Sequence, residues 1–191
     1  MDLLLACAQE FERLLPYRYK MIIGRKGKAL SFSLDFERAD FHHLMGLHKL
    51  KDILRFQTGK RADIFNEILA GKLTLDLAEH SEFFHEMAPR LQPLSHLENF
   101  LDSNELIFRY NPKRHTFSAI QADYLLQNTF NDVPVYLFLS KRNESETYVS
   151  KTFFPKNKLD YAKGQMRYTL LYKEKQNIIT GDRLVQFNRL K

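Results

Sequence analysis

The spacing of apolar residues divides the chain near Asp102 into a helical part and a strand-rich part. Before that point apolar residues recur with the helical period, and after it they alternate with polar ones, as in half-buried strands. The short connections between successive strands indicate an antiparallel meander. The pattern therefore predicts an α+β fold, with helices first and a twisted sheet after them. The predicted strands of the second part are 105–110, 118–127, 133–140, 147–154, 167–173 and 185–190.

The first 102 residues are predicted to hold one hairpin among several helices. Residues 3–15 form an opening helix that stops before Pro16, because proline cannot continue a helix. Residues 17–23 and 28–36 then form the hairpin, and the second of these strands alternates apolar and polar positions. Further helices are predicted at 63–70 and in the run 74–102. We expect residues 1–191 to fold as one domain.

Residues 41–52, FHHLMGLHKLKD, carry three histidines on one predicted helix. On a helical wheel the leucines form an apolar arc that contains His43. We therefore expect His43 to be buried and His48 to lie at the edge of the arc. The opposite face of the wheel, which we expect to meet solvent, holds His42 and Lys49.

Two interpretations of His43 stay open from spacing alone. A buried imidazole needs partners for its ring nitrogens, so His43 is either a core histidine bonded to a backbone carbonyl or part of a polar site with His48. Their interval of five residues disfavours a zinc pair, because ligands on one helix face need a spacing of four. Gly46 costs about 1 kcal/mol relative to alanine inside a helix. It predicts that another element packs closely against this segment.

The charge of the chain is concentrated in its second half. The formal net charge is +6; the first 100 residues hold 14 basic and 14 acidic side chains, whereas the remaining 91 hold 15 and 9. A basic half beside a neutral half favours an anionic partner, most often a nucleic acid. A basic face that is merely solvated explains the same distribution.

The single cysteine, Cys7, excludes an intrachain disulfide framework and a zinc site built from cysteines. No apolar run reaches the length needed to span a membrane or to form the core of a signal peptide. We therefore expect a cytoplasmic protein without a membrane partner. The sequence also lacks a phosphate-binding loop, a dinucleotide motif, a nucleophile elbow and the clustered carboxylates of a two-metal nuclease.

Two predicted strands carry side chains suited to phosphate contacts. Alternation over 147–154 places Ser150 and Thr152 on one face with aromatic rings, and 167–173 alternates basic and hydroxyl side chains with tyrosines. An exposed polar face of a half-buried sheet explains both patterns equally well. The residue types fit RNA cleavage without metal, because histidine, with an ordinary pKa of about 6.5, transfers protons and Lys or Arg stabilises the phosphate charge.

The histidine segment resembles the signature FxHLxGLxKLxD of a phage- and mobile-element-associated nuclease family related to barnase, EndoU, the RNase colicins and RelE. The resemblance covers most of the chain and implies a barnase–EndoU–colicin–RelE-like (BECR-like) fold, in which helices precede a meander sheet. It also implies a metal-independent ribonuclease reaction without a cofactor. The later stretches that are similar to this family are 106–111 (LIFRYN), 122–126 (ADYLL), 150–155 (SKTFFP) and 163–175 (KGQMRYTLLYKEK).

By motif position, the resemblance implies roles for His43, Gly46, Lys49 and Asp52 in the helix, whereas His48 falls at a variable position of the signature. From the strands it implies roles for Ser150, Thr152, Tyr168 and Lys173. We expect no bound metal. The predicted catalytic residues are His43, His48, Lys49, Ser150, Thr152, Tyr168 and Lys173, and the predicted RNA-binding residues are Lys151, Lys156, Lys163 and Arg167.

Two functions from different classes are consistent with these observations. The first is a metal-independent endoribonuclease, acting as a toxin or phage effector, with RNA and a cognate inhibitor or immunity protein as partners. The second is a non-catalytic RNA-binding or protein-interaction module of the same fold. A small-molecule enzyme is weaker, because no cofactor motif is present. The first two differ in whether a histidine reaches the polar face of the sheet.

Overall fold

Helices dominate the first half of the chain and strands the second in the computed structural model, which describes residues 2–104, 106–115, 118–143 and 147–190. The division predicted near Asp102 is confirmed, because the last helix ends at Ser103 and the next strand begins at Leu106. The α+β class follows directly. No helix in these described ranges is long and apolar enough to cross a membrane.

The opening helix α1 (Leu3–Leu14) is held by a cap and by one apolar face. The Asp2 carboxylate accepts a hydrogen bond from the Leu5 amide at 2.9 Å, which satisfies one of the unpaired amides of the first turn. A second bond, at 2.7 Å, from the Leu75 amide to the same carboxylate ties the helix start to a later helix. The buried residues of α1 are Leu4, Cys7, Ala8, Glu10, Phe11 and Leu14.

The predicted hairpin is present as β1 (Tyr17–Arg25) and β2 (Lys28–Leu34). Its two-residue turn places Lys26 at φ 49° and Gly27 at φ 75°. Positive φ at both turn positions is the geometry that matches the right-handed twist of the flanking strands.

Short helices fill the region between the hairpin and the next strand. The structure does not contain one helix over 41–52, and the run predicted over 74–102 consists of four short helices. Only the helix predicted at 63–70 is close to its observed bounds. These helices are α2 (Asp40–Met45), α3 (Leu54–Gln57), α4 (Arg61–Leu69), α5 (Leu75–Glu79), α6 (Phe84–Met87), α7 (Leu91–Leu94) and α8 (Leu97–Ser103), with 3₁₀ turns at Leu47–Lys49 and Ala88–Arg90.

All six strands predicted for the second half have counterparts. The first was expected to start at Glu105, which lies outside the described residues, and the second starts later than predicted. The observed strands are β3 (Leu106–Arg109), β4 (Tyr124–Phe130), β5 (Val133–Lys141), β6 (Thr147–Pro155), β7 (Met166–Asn177) and β8 (Arg183–Asn188), with a 3₁₀ turn at Pro112–Arg114.

Seven of the strands close into a barrel, which replaces the twisted antiparallel meander that was predicted. The ring runs β1-β2-β6-β5-β4-β3-β7 and closes because β7 also pairs with β1, while β8 pairs with β7. Closure depends on the 12-residue length of β7, which reaches past its short pairing with β3 and along β1. One pairing, β2 with β6, is parallel and short. Antiparallel pairing holds elsewhere in the ring.

The barrel strands bury residues on both faces. One face joins the helices in the main core, to which β4 and β5 contribute Leu126, Leu137 and Leu139. The alternate residues Leu125, Tyr136 and Phe138 of the same strands form a second, smaller core together with Tyr110, which follows β3. Burial on both faces explains why the apolar alternation of β5 is less clean than that of a strand with one wet face.

Candidate active site

The segment with three histidines reverses direction at Gly46. Helix α2 ends there because Gly46 takes the left-handed conformation (φ 84°), and its amide bonds back to the carbonyl of His43 at 3.1 Å. The chain continues as the 3₁₀ turn Leu47–Lys49 rather than as the same helix. This reversal returns His48 to the side of the segment that carries His43.

The burial of the first two histidines is the opposite of the prediction. His42 is only 6% exposed, whereas His43 is half-buried. The helical wheel was oriented by Leu47 and Leu50, which lie beyond the end of α2 and therefore do not share its phase. The true buried face of α2 contains Phe41, His42, Leu44 and Met45.

His43 and His48 form a close pair of neutral imidazoles. Their Nδ1 atoms are 3.3 Å apart and their ring centroids 4.7 Å apart. Burial, with a smaller contribution from neighbouring positive charge, lowers the pKa of both rings to about 4; the cations that contribute include Arg61 for His43 and Arg90 for His48. The interval of five residues would keep these rings apart on a continuous helix. In the structure it does not, because α2 ends at Gly46.

His42 completes a cluster of three imidazoles. Its Nε2–H donates to the backbone carbonyl of Phe56 at 2.8 Å, which fixes the tautomer. Its Nδ1 is buried and has no hydrogen-bond partner in the described structure. Burial also lowers the pKa of this ring. Because His42, not His43, is bonded to a backbone carbonyl, the core-histidine interpretation applies to His42.

Three cations border the histidine cluster without a carboxylate partner. Arg61 and Lys151 are exposed, Arg90 is buried, and none of them forms an ion pair within the described residues. The fourth nearby cation, Lys49, is different, because its ammonium binds the Glu86 carboxylate at 2.8 Å. The site thus has an excess of positive charge close to neutral imidazoles, which suits an anionic ligand.

Arg90 is the site residue that sequence reasoning missed. It is 5% exposed, and its Nη1 donates to the Leu44 carbonyl at 3.2 Å, to Thr152 Oγ1 at 2.9 Å and to the Phe153 carbonyl at 3.0 Å. Burial lowers the pKa of its guanidinium to about 10. The one sequence signal was Gly46: a Cβ there would lie 2.9 Å from Arg90 Nε, so the predicted close packing against Gly46 is confirmed.

A β-bulge in β6 rearranges the predicted row of hydroxyls. Ser150 pairs with Leu139 and Thr152 with Phe138, so Lys151 is the extra residue in the ladder. Ser150 and Thr152 therefore do not share a face, contrary to the strict alternation predicted for this strand. Bulges commonly redirect a side chain beside a functional site, and here the exposed Lys151 is close enough to affect His43.

The two hydroxyl groups have different surroundings. Ser150 is 2% exposed, and its Oγ has no hydrogen-bond partner among the described residues. Thr152 accepts the bond from Arg90. The structure therefore places Thr152 beside the site through Arg90, while Ser150 is enclosed in the protein interior.

Asp52, the last residue of the signature, anchors the segment. Its carboxylate accepts a hydrogen bond from the Ser81 hydroxyl, which lowers its pKa, and a second from the Glu82 amide at 2.8 Å. These bonds connect the end of the histidine segment to the chain that leads into α6. Asp52 acts here as a structural link.

The remaining predicted site residues lie on other parts of the barrel. Tyr168 and Arg167 line a separate cleft of about 120 Å³ together with Phe187 and Arg189. Lys173 is 2% exposed, and its ammonium donates to the carbonyls of Leu101, Asp102 and Asn104 at 2.6–3.0 Å. Lys156 pairs with Asp160 at 3.1 Å, and Lys163 is exposed in the loop before β7.

Comparison with known proteins gives one match. The family model described as phage-Barnase-EndoU-ColicinE5/D-RelE like nuclease 4 matches residues 3–190, nearly the whole chain. No curated protein and no solved structure matches at a significant level.

Proposed function

The chain belongs to the phage-Barnase-EndoU-ColicinE5/D-RelE like nuclease 4 family, and on that premise we propose that it cleaves RNA without a metal ion, using His43 and His48. The observation that carries this proposal is the pair itself. Two neutral imidazoles face each other at 3.3 Å beside cations that have no carboxylate partner in the described structure.

The proposed reaction is an internal transfer of the phosphodiester. One imidazole takes the proton of the ribose 2′-hydroxyl, and the 2′-oxygen forms a bond to phosphorus. The bond from phosphorus to the 5′-oxygen breaks, and the second imidazole, as imidazolium, gives a proton to that leaving oxygen. The products are a 2′,3′-cyclic phosphate and a 5′-hydroxyl, so no water and no metal is consumed in this step.

Substrate binding supplies the charged form that the acid needs. Both rings are neutral in the free protein because burial and nearby cations lower their pKa values to about 4. An anionic phosphate placed between the rings and the cations raises the pKa of the adjacent imidazole, because an opposite charge favours its protonated form. Arg61, Lys151 and Arg90 are the side chains we assign to hold that phosphate.

The donor chemistry of the site supports a reaction without magnesium. Nucleases that use two metal ions need clustered carboxylates, since Mg²⁺ prefers oxygen ligands. Among the described residues, the only group of three or more potential metal ligands is the histidine cluster. The Glu86 carboxylate, which reaches the histidine segment at Lys49, is already engaged in that ion pair.

The direct test is cleavage of a defined RNA oligonucleotide in EDTA. We expect cleavage with a 2′,3′-cyclic phosphate end, and no cleavage when the nucleotide at the scissile bond carries a 2′-deoxyribose. When variants of His43 or His48 are assayed, the control variant is His80→Ala, because His80 is exposed and lies outside the cluster. RNA that stays intact with the wild-type protein would favour the RNA-binding or protein-interaction module, which a binding assay on the same oligonucleotide distinguishes.

A toxin or phage-effector role, with a cognate inhibitor or immunity protein as partner, extends the proposal from the phage association in the family name. It predicts that expression of the wild-type chain arrests growth of a bacterial host, while a His43→Ala chain expressed to the same level does not. Equal growth of the two cultures would contradict the toxin role without affecting the cleavage assay.

A further inference from the structure

We propose that His42, His43 and His48 form a binding site for a divalent transition metal such as Zn²⁺. Each offers one ring nitrogen, and the three nitrogens lie within 4.8 Å of one another. Imidazole nitrogen is a preferred ligand of zinc, copper and nickel, whereas magnesium and calcium prefer oxygen. The proposal thus concerns a different class of ion from the one that two-metal nucleases use.

The spacing of His43 and His48 already matches a tetrahedral site. Two nitrogens bound to one tetrahedral zinc at the usual length lie about 3.3–3.4 Å apart. His43 Nδ1 and His48 Nδ1 are 3.3 Å apart. The third nitrogen lies within 4.8 Å of these two, so the rings would have to move closer together to bind one common centre.

The buried histidine supplies an independent observation. Only 6% of the surface of His42 is exposed, and its Nδ1 has no hydrogen-bond partner among the described residues. Its other nitrogen donates to the Phe56 carbonyl at 2.8 Å. In nearly every metal-bound histidine, the nitrogen that does not bind the metal donates such a hydrogen bond. This bond orients the ring and leaves the opposite nitrogen as the ligand. A metal bond would give the Nδ1 atom the partner that it lacks.

Positive charge borders the proposed metal site. The nearby positive charges of Arg61, Lys151 and Arg90 oppose a bare cation. They favour an anion, such as phosphate or hydroxide, in the fourth position that three protein ligands leave open.

The metal would compete with the proposed reaction, and this consequence rests on the proposed function. A nitrogen bound to Zn²⁺ has no lone pair to accept the proton of a 2′-hydroxyl and carries no proton to give. Metal and catalysis thus need the same two side chains, His43 and His48. We expect Zn²⁺ to stop RNA cleavage and a chelator to restore it.

The binding experiment uses untagged full-length protein, since a polyhistidine tag binds the same ions. After treatment with EDTA and its removal, Zn²⁺ is titrated by calorimetry and the bound metal is counted by mass spectrometry. We expect one Zn²⁺ per chain, and a visible absorption band of tetrahedral character when Co²⁺ replaces Zn²⁺.

The variants His43→Gln and His48→Gln should lower the Zn²⁺ affinity about 100-fold or more, because even loss of an outer-shell partner costs about 10- to 100-fold. His80→Gln is the matched control and should bind like the wild type. Melting curves confirm that each variant is folded. Wild-type protein that binds no Zn²⁺, or cluster variants that bind it as well as His80→Gln does, would overturn the site.

The activity arm separates the two proposals. Zinc binding is decided by the titration whether or not the protein cleaves RNA. If it cleaves RNA, inhibition by Zn²⁺ that EDTA reverses supports competition between metal binding and catalysis for His43 and His48. Acceleration by Zn²⁺ would overturn that competition. If it cleaves none with or without EDTA, the inhibitory consequence falls together with the proposed function, while the metal site stands or falls on the titration.

Discussion

Nδ1 of His43 and Nδ1 of His48 lie 3.3 Å apart across a chain reversal of only five residues. The pair exists because Gly46 ends one helix in the left-handed conformation and the next residues turn back as a 3₁₀ segment. The backbone at Gly46 therefore decides whether the two rings meet. The predictions that follow test this pair, the glycine that forms it and the charges around it.

We expect His43→Ala and His48→Ala to lower RNA cleavage by about 10²–10⁴-fold, the usual contribution of a positioned acid or base. Both rings are half-buried, so their removal should leave the melting temperature close to that of the wild type. The measurement is the cleavage rate per folded molecule on one RNA oligonucleotide. Wild-type rates in both folded variants would remove the histidines from the mechanism.

His42→Ala should act first on stability. The change leaves the Phe56 carbonyl without its donor in a buried place, which costs about 1–3 kcal/mol in the free energy of unfolding. Urea denaturation measures this loss, with His80→Ala as the exposed comparison. A His42→Ala protein as stable as the wild type would show that this bond contributes nothing to the fold.

Gly46→Ala should disturb both stability and the site. Its backbone is left-handed and its new Cβ would lie 2.9 Å from Arg90 Nε, whereas Gly71→Ala has a similar φ of 69° and meets nothing within 4 Å. The strain of about 1–2 kcal/mol is common to both variants, so the difference between them isolates the Arg90 contact. We expect Gly46→Ala to lose more unfolding free energy and more cleavage rate. Equal losses in the two variants would mean that Arg90 moves aside freely.

Lys151→Gln should weaken RNA binding and its dependence on salt. Each phosphate contact by a basic side chain on single-stranded RNA contributes a slope of about −0.7 to log K against log salt. Loss of one contact should flatten the slope by about that amount. Lys28→Gln, at an exposed lysine of the hairpin, is the matched control. Identical slopes for both variants would exclude Lys151 from the phosphate contacts.

Lys173→Met separates a structural role from the catalytic one implied by the resemblance. The buried ammonium donates to three carbonyls at the end of α8, and their loss should cost about 3 kcal/mol of unfolding free energy. The folded fraction should still cleave RNA at close to the wild-type rate, because the carbonyls that the Lys173 ammonium binds belong to the end of α8. A stable variant with a greatly reduced rate would restore the catalytic assignment.

Sequence patterns predicted the helices and strands well where residues close in sequence determine their ends. The bounds of α1 and of the hairpin were predicted to within a few residues, because a cap, a proline and a glycine turn are all encoded nearby. The closure of the barrel was not predictable in this way. It depends on β7 pairing with β1, more than 140 residues earlier in the chain, and nothing in either strand alone encodes that pairing.

The sequence predicted which segment carries the candidate site, but it did not predict how the side chains of that segment are arranged. The signature identified the histidine segment and the close packing at Gly46, but one left-handed residue invalidated a wheel drawn for a continuous helix. Likewise, the bulge at Lys151 shifts the alternation of β6 by one residue. Arg90 was missed because its role arises from distant contacts with Leu44 and Phe153, which the spacing of its own helix does not reveal.

The closure of the barrel also sets the order in which the protein can assemble. Tyr17 pairs with Asn177, which is 160 residues away, so the ring cannot close until the segment of β7 has left the ribosome. Contacts of such long range slow folding relative to helical proteins of equal length. During synthesis, β1 has only its hairpin partner, and its second edge stays open to other strands. Chaperones that protect exposed strand edges should therefore raise the yield of folded protein more than slower synthesis does.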